Sequence, residues 1–338
     1  ISDCLVGSEM CIRDRIGNAI SKQNSLLKEI LRLEKNIISG PEWLYDNVLK
    51  DKKVIAVSGT HGKTTVTSMI AQALLDNNFN PNYLIAGIPN NLEKSWNISS
   101  DEVFIIEADE YDTCYFDKRP KFFHYQPSVL MINNIEFDHA DIYENIEMIE
   151  KNFFELIKTM PTNSKVYINE KKVRKCFKNM LNEEKFKTNL KFFSLNASNI
   201  HEENKLLAAH TLEGLIPKEK TLSVLDDYKG VKRRFETIFD DKNFKLIDDF
   251  AHHPTAIEET IKMTREQTDN LTLIVELGSN SMKRGVHDER LLKIFGNQET
   301  FIINASTEQE KIFSDHAKKL TNDAVSYTHL RAHETIAD

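Results

Sequence analysis

A chain of 338 residues with 40% apolar and 28% charged residues has the composition of a globular protein, with length for two or three domains. No apolar run approaches the roughly 18 residues of a membrane span, and a net charge of −8 spread over interspersed lysines and acids argues against a dedicated nucleic-acid surface. Cys4, Cys11, Cys114 and Cys176 form neither metal-ligand pairs nor a disulfide framework, as suits a reducing cytoplasm, and no apolar signal region precedes Cys4.

Residues 1–15 and 325–338 follow neither a helical nor a strand period and are set aside as non-native ends, so Cys4, Cys11, His329 and His333 carry no functional weight. Residues 16–50 read as a connection, a helix over 25–35 and a second helix from Pro41 through 49, the tail of something larger. From residue 51 to 228 apolar runs alternate with helical segments: strands over 54–57, 83–86, 103–107, 129–133 and 165–168, with helices over 64–76, 145–158 and 204–215. Strands separated by helices predict a mostly parallel sheet. A basic turn and linker over 228–236 precede a second βα rhythm: strands over 246–250, 271–277 and 300–303, and helices over 255–265 and 288–294. This second domain, residues 229–324, reads as Rossmann-like and incomplete.

The run V-I-A-V-S-G-T-H-G-K-T-T at residues 54–65 is the most informative stretch of the chain. A strand entering a Gly-rich turn that opens a helix aims backbone N–H groups and a helix N-terminus at a polyphosphate. Lys63 adds a point charge at the phosphate oxygens, and the Thr64 hydroxyl can hold Mg²⁺. The spacing departs from the common G-x-x-x-x-G-K-[ST] loop, because Val57 stands where its first glycine would be. The strand over 103–107 ends in E-A-D-E-Y-D at 107–112, and that over 129–133 runs on to Asp138 and His139. Carboxylates at the C-terminal ends of parallel strands face the crevice used by a phosphate loop, making Glu107 a candidate Mg²⁺ ligand. A solvated acidic rim is the bland alternative for either cluster taken alone.

Five motifs in order, G-T-H-G-K-T-T at 59–65, E-A-D-E-Y-D at 107–112, N-N-I-E-F-D-H at 133–139, K-R-R-F-E at 232–236 and D-D-F-A-H-H-P at 248–254, resemble the Mur ligase family. The fold this implies is α/β: a P-loop-type, mostly parallel central sheet with flanking helices, then a truncated Rossmann-like C-terminal domain, preceded by a remnant of an N-terminal UDP-binding domain. F-D-K-R at 116–119, F-H-Y-Q-P at 123–127 and S-N-S-M-K at 279–283 resemble the branch that joins UDP-N-acetylmuramate to L-Ala-γ-D-Glu-meso-diaminopimelate in peptidoglycan recycling. The resemblance implies an ATP- and Mg²⁺-dependent cytoplasmic amide ligase that activates the lactyl carboxylate as an acyl phosphate for attack by the tripeptide amine. It implies ATP contacts from Gly59, Thr60, His61, Gly62, Lys63, Thr64, Thr65, Asn134, Asn204, Arg234 and Asp249, and metal ligation by Thr64, Glu107 and His139. His252 and His253 are expected to line the reacting centre, with turn histidines before Pro254 as the alternative. Asp117, Lys118, Arg119, Asn280 and Lys283 are the candidates for the charged tripeptide, and Ser21 and Asn24 for the UDP-sugar.

The sequence also departs from the family pattern. Phe154 stands where some siblings carry a carbamylated lysine, the adenine-side motif reads S-N-I-H-E-E-N at 198–204 and keeps only Asn204, and the stretch between His139 and Asn204 is short enough to suggest a missing sheet edge. The rival readings are a sibling that adds L-alanine, a P-loop kinase or GTPase, and an inactive nucleotide-binding fragment.

Overall fold

The computed structural model describes residues 14–17, 20–296 and 298–320; of the set-aside segments 1–15 and 325–338, residues 1–13 and 325–338 lie outside the described residues, whereas Asp14 and Arg15 belong to a paired strand. The described chain divides into two compact units, residues 14–137 with 142–232, and residues 138–141 with 233–320.

The first unit opens with β1 (Asp14–Ile16), α1 (Ser25–Arg32), β2 (Ile37–Ser39) and α2 (Gly40–Leu44), which continues into a widened turn over Tyr45–Leu49. β1 and β2 pair in parallel across α1. There follow β3 (Lys53–Ser58), α3 (Lys63–Asp76), β4 (Asn82–Leu84), β5 (Trp96–Asn97), β6 (Val103–Glu107), β7 (Val129–Ile132), α4 (Ile146–Thr159), β8 (Lys165–Asn169), α5 (Lys175–Glu183), β9 (Asn189–Phe193), α6 (Ile200–Thr211) and α7 (Lys218–Val224). Among the described residues the main sheet has seven strands in the order β5-β4-β6-β3-β7-β8-β9, parallel throughout except for β5 against β4.

The sheet is covered on both faces, and the period of two along its strands assigns each side chain to one of two cores. Val54, Ala56, Phe104, Ile106, Leu130 and Ile132 pack with Phe153, Leu156, Ile157, Phe177 and Leu181 of α4 and α5. Their neighbours Ile55, Val57, Val103, Ile105 and Met131 pack with Met69, Ile70 and Leu74 of α3 and with Leu207 and Ala208 of α6. Phe154 packs against the first of these cores, its ring edge-on to Phe186 at 5.5 Å. The side chain at the position expected to align with the carbamylated lysine of some siblings is therefore apolar packing.

The sheet does not stop short: β9 forms its edge, although the sequence reading gave it no strand. Its burial alternates only weakly, as expected of an edge strand half open to solvent, so the period that marks a strand is faint. α6 begins four residues before the expected start, because the Asn199 side chain accepts the Glu202 N–H at 2.9 Å and caps the helix there.

The second unit contains β10 (Glu236–Asp240), β11 (Lys245–Asp248), α8 (Pro254–Arg265), β12 (Thr272–Glu276), α9 (Asn280–Lys283), α10 (Asp288–Phe295), β13 (Glu299–Ile303), α11 (Thr307–Phe313) and β14 (Lys318–Lys319). β12, β13 and β14 form a parallel sheet, and β10 and β11 an antiparallel hairpin. The hairpin follows the expected linker over 228–236, where the chain is turn and loop up to residue 235, and adds β10 to the strand expected over 246–250 in the second unit. Val275, Leu277, Met282, Leu291, Phe295, Ile302 and Phe313 make its separate core.

Candidate nucleotide and metal site

In the first unit β3 delivers the chain to a loop that only glycine can build. Gly59 has φ +140° and a Cβ there would stand 3.0 Å from the Asn134 carbonyl oxygen; Gly62 has φ +82° and its Cβ would lie 2.9 Å from Asn133 Nδ2. The loop is strapped to the end of β7. His61 N–H donates to Asn134 Oδ1 (3.0 Å), Asn134 Nδ2 donates to the His61 carbonyl (3.0 Å), Glu136 N–H donates to Thr60 Oγ1 (2.8 Å), and His61 Nε2 lies 2.9 Å from Glu136 Oε1. Asn134, expected on the adenine side, is thus brought to the loop and shapes it. Thr65 lies half-buried in the first turn of α3.

Lys63 Nζ donates to the Gly59 carbonyl (2.8 Å) and to Glu110 Oε2 (2.9 Å), with Asp109 at 3.6 Å. Burial works against its charge, but the carboxylates of Glu110 and Asp109 outweigh it and hold the ammonium protonated well above the ordinary lysine range. Glu107, at the end of β6, accepts from the Thr64 hydroxyl (2.9 Å) and from Ala86 N–H (2.7 Å). Burial and then the neighbouring Asp109 raise its pKa, against the two hydrogen bonds and Lys63. Asp109 shifts down: burial opposes its charge, and Lys121 and Lys63 prevail. The sequence reading missed the parts played by Asp109, Glu110 and Lys121; the signal was the acidic run after Glu107, but which acid meets Lys63 depends on the path of the turn.

The residues fit a nucleotide with Mg²⁺. Asn133 Oδ1 and Asn204 Oδ1 are buried without a hydrogen-bond partner among the described residues, and a Gly62 Cβ would lie 3.6 Å from that Asn204 oxygen. Both orphaned acceptors therefore border the phosphate loop. A carboxylate whose charge is disfavoured by burial and by a second acid would gain from a divalent cation, and Thr64 with Glu107 could supply the one or two hard oxygen ligands that Mg²⁺ takes from protein. Among the described residues no group of three or more His, Cys, Asp and Glu side chains forms a complete cage.

After β6 the segment to residue 124 folds into a charged loop closed by the Asp112–Pro120 bridge. Arg119 forks onto Asp117 through Nε (3.0 Å) and Nη2 (2.9 Å), Lys118 Nζ reaches Asp112 (2.6 Å), and His124 Nε2 lies 2.8 Å from Asp117. The three candidates for the tripeptide are brought together, already paired. Asn24 caps α1 by accepting Leu27 N–H at 3.1 Å, and Ser21 lies exposed just before it.

In the second unit Asp138–Asp141 lies against α9. Ser281 Oγ donates to Asp138 Oδ1 (2.6 Å), and Asn280 Nδ2 donates to Asp141 Oδ2 (2.8 Å); Lys283 is exposed at the end of that helix. His139 has φ +53° and its Nε2 stands 4.0 Å from Asp138 Oδ2. Arg234 stacks over Phe250 with its Cζ 4.9 Å from the ring centre. Asp249 accepts from the Thr260 hydroxyl (2.6 Å) and Ala251 N–H (3.1 Å), and burial raises its pKa against those bonds and Arg234. His252 Nδ1 meets the Phe250 carbonyl at 2.9 Å, whereas His253 is buried, accepts Thr255 N–H at the start of α8 and packs edge-on to His287.

Comparison with known proteins agrees with this arrangement. The chain matches the Mur ligase middle domain over residues 57–224 and the Mur ligase glutamate ligase domain over 233–336. It is 34% identical over 325 residues, 85% of this chain and 70% of the other, to the UDP-N-acetylmuramate–L-alanyl-gamma-D-glutamyl-meso-2,6-diaminoheptandioate ligase of Escherichia coli strain K12. To the UDP-N-acetylmuramate–L-alanine ligase of Desulfitobacterium hafniense it is 32% identical over 259 residues, 68% of this chain and 56% of that protein. The crystal structure of a murein peptide ligase from Psychrobacter arcticus 273-4 superposes with a TM-score of 0.67 at 26% identity, covering 91% of this chain and 77% of the other. With its glycine loop, its lysine and the acids at the end of β6 set in a parallel sheet, and with both domains matched, the chain belongs to the Mur ligase family of ATP-dependent ligases.

Proposed function

We propose that this protein is the ligase that joins UDP-N-acetylmuramate to L-Ala-γ-D-Glu-meso-diaminopimelate, in the cytoplasm, as a step of peptidoglycan recycling. The observation that carries the reading is the extent of likeness: identity of 34% runs over 325 residues with the tripeptide ligase, against 32% over 259 residues with the L-alanine ligase. The charged loop of Asp117, Lys118 and Arg119 supports it, since a tripeptide with free carboxylates needs cationic partners and L-alanine has less to offer them.

The roles follow from the chemistry of each residue. Lys63, kept cationic by Glu110 and Asp109, meets the phosphates, and the backbone N–H groups of residues 59–65 cradle them. Thr64 and Glu107 would hold Mg²⁺ through oxygen ligands, and the ion, when bound, would supply positive charge for the transferring phosphoryl group. Asn204 offers its unpaired oxygen to the nucleotide. In the second unit His139 is a nitrogen donor for a cation, Arg234 and Asp249 are nucleotide contacts, and His252 is a better candidate for the reacting centre than His253, which caps a helix. Lys283 and Asn280 are proposed for the acceptor peptide, and Ser21 and Asn24 for the UDP-sugar. Catalysis of this kind rests on positioning and charge stabilisation, with no protein nucleophile required.

ADP release measured with UDP-N-acetylmuramate and either the tripeptide or L-alanine tests the proposal. Turnover that depends on the tripeptide is expected. Turnover with L-alanine alone would make the protein an alanine-adding ligase.

A further inference from the structure

The S-N-S-M-K run at residues 279–283 contains a serine that the functional reading leaves without a task. Ser281 is 1% exposed, and its hydroxyl makes two hydrogen bonds, donating to Asp138 Oδ1 at 2.6 Å and accepting from Ala140 N–H at 3.1 Å. The two partners are the residues on either side of His139. The same Asp138 oxygen also accepts the His139 N–H at 2.7 Å. Arg284 Nη1 holds the Ala140 carbonyl at 3.1 Å and Asn280 holds Asp141, so α9 and its flank fix the whole short segment.

This grip has a reason in the backbone. His139 sits at φ +53°, the left-handed region, which strains a residue with a Cβ and persists only where the surroundings impose it. Loss of the Ser281 hydroxyl would leave the Ala140 N–H without its partner and take from Asp138 Oδ1 one of its two hydrogen bonds, and an N–H left unsatisfied costs more than the bond itself contributes. The segment would then relax toward an unstrained φ and turn the imidazole elsewhere.

We propose that Ser281 is a positioning residue: by bonding to both chain neighbours of His139 it fixes the strained backbone and so the direction in which the imidazole is offered to a divalent cation. The proposal rests on the reading of His139 as a cation donor. It assigns the second serine of the S-N-S-M-K run to the metal rather than to the acceptor peptide. Partners that orient a ligating histidine without touching the metal typically contribute 10- to 100-fold in affinity.

The test is a titration of the full chain, with its histidines isotope-labelled, by Mn²⁺ alone, followed through paramagnetic broadening of the His139 ring signal, assigned with His139→Ala. In the unaltered protein this signal should broaden early. In Ser281→Ala it should shift and need about tenfold more Mn²⁺, while Ser281→Thr, which keeps the hydroxyl, should recover most of the difference. Equal Mn²⁺ requirements for Ser281→Ala and the unaltered protein, with broadening intact, would overturn the role of Ser281 and leave His139 as a ligand. No broadening of His139 in the unaltered protein would instead remove His139 from the metal. Should Ser281→Ala fail to fold, Asp138→Asn weakens the same bond, and an unchanged Mn²⁺ requirement there overturns the proposal equally.

Discussion

Lys63 shows how far a single residue can be read from its neighbours in sequence and where that reading ends. Its position in G-T-H-G-K-T-T gave the phosphate role; the partners that keep it charged, Glu110 and Asp109, come from another strand end. Substitution Lys63→Ala or Glu107→Ala is expected to lower the rate of ligation by about 10²–10³-fold or more, since in the proposed site the first removes the cation that meets the phosphates and the second a ligand of the metal. Initial rates of ADP release, at saturating UDP-N-acetylmuramate and tripeptide, would check this; near-normal turnover in either variant would displace it from the site. Arg119 is a different case, because its guanidinium already forks onto Asp117, and a substrate carboxylate must compete with that partner. Arg119→Ala should raise the KM for the tripeptide about tenfold, the scale of one charge-assisted hydrogen bond, and leave the KM for ATP within about twofold. Equal changes in both constants would take Arg119 out of the acceptor site.

At the scale of elements, strands with a strong apolar period were legible and half-exposed ones were not. β3, β6 and β7 are buried on both faces and read as apolar runs. β9, and the hairpin of β10 and β11, alternate poorly because one face or edge meets solvent, so only pairing with a neighbour reveals them. The outer edge of the main sheet also carries an ion-pair cluster invisible to local reading. Glu213 bonds His210 Nδ1 at 2.7 Å and reaches Lys191 of β9 at 3.3 Å. Burial opposes its charge, yet His210 and Lys191 bring its pKa below the ordinary glutamate value. A lowered carboxyl contributes stability above its unfolded pKa of about 4.3, and that contribution disappears as pH falls through the folded value. Glu213→Gln should therefore destabilise by less than about 1 kcal/mol at pH 7, since the side chain is partly solvent-screened, and by nothing measurable near pH 3. Urea unfolding at the two pH values decides it; a loss of equal size at both would mean that packing, not charge, is what Glu213 contributes.

On the scale of the whole molecule, the two units have separate cores, and separate cores predict unfolding that is not a single two-state event. Phe313→Ala empties the middle of the second unit's core and should cost that unit about 3–5 kcal/mol. Calorimetry is expected to show one transition moved down and the other in place; a joint shift of all the heat absorbed would show the units to be one cooperative body. The division also explains which parts of the site could be foreseen. The sequence by itself determined the phosphate loop, the parallel character of the main sheet, the acids at its strand ends and membership of the family, because each depends on short-range geometry: a glycine turn, a period of two, a helix start. Only the tertiary structure decided that Glu110 holds Lys63, that Asn134 straps the loop, that Phe154 packs against a core, and that residues 138–141 belong with α9. Those facts are contacts between segments far apart in the chain, and they are fixed by which surfaces the fold buries against each other, a choice that no local run of residues records.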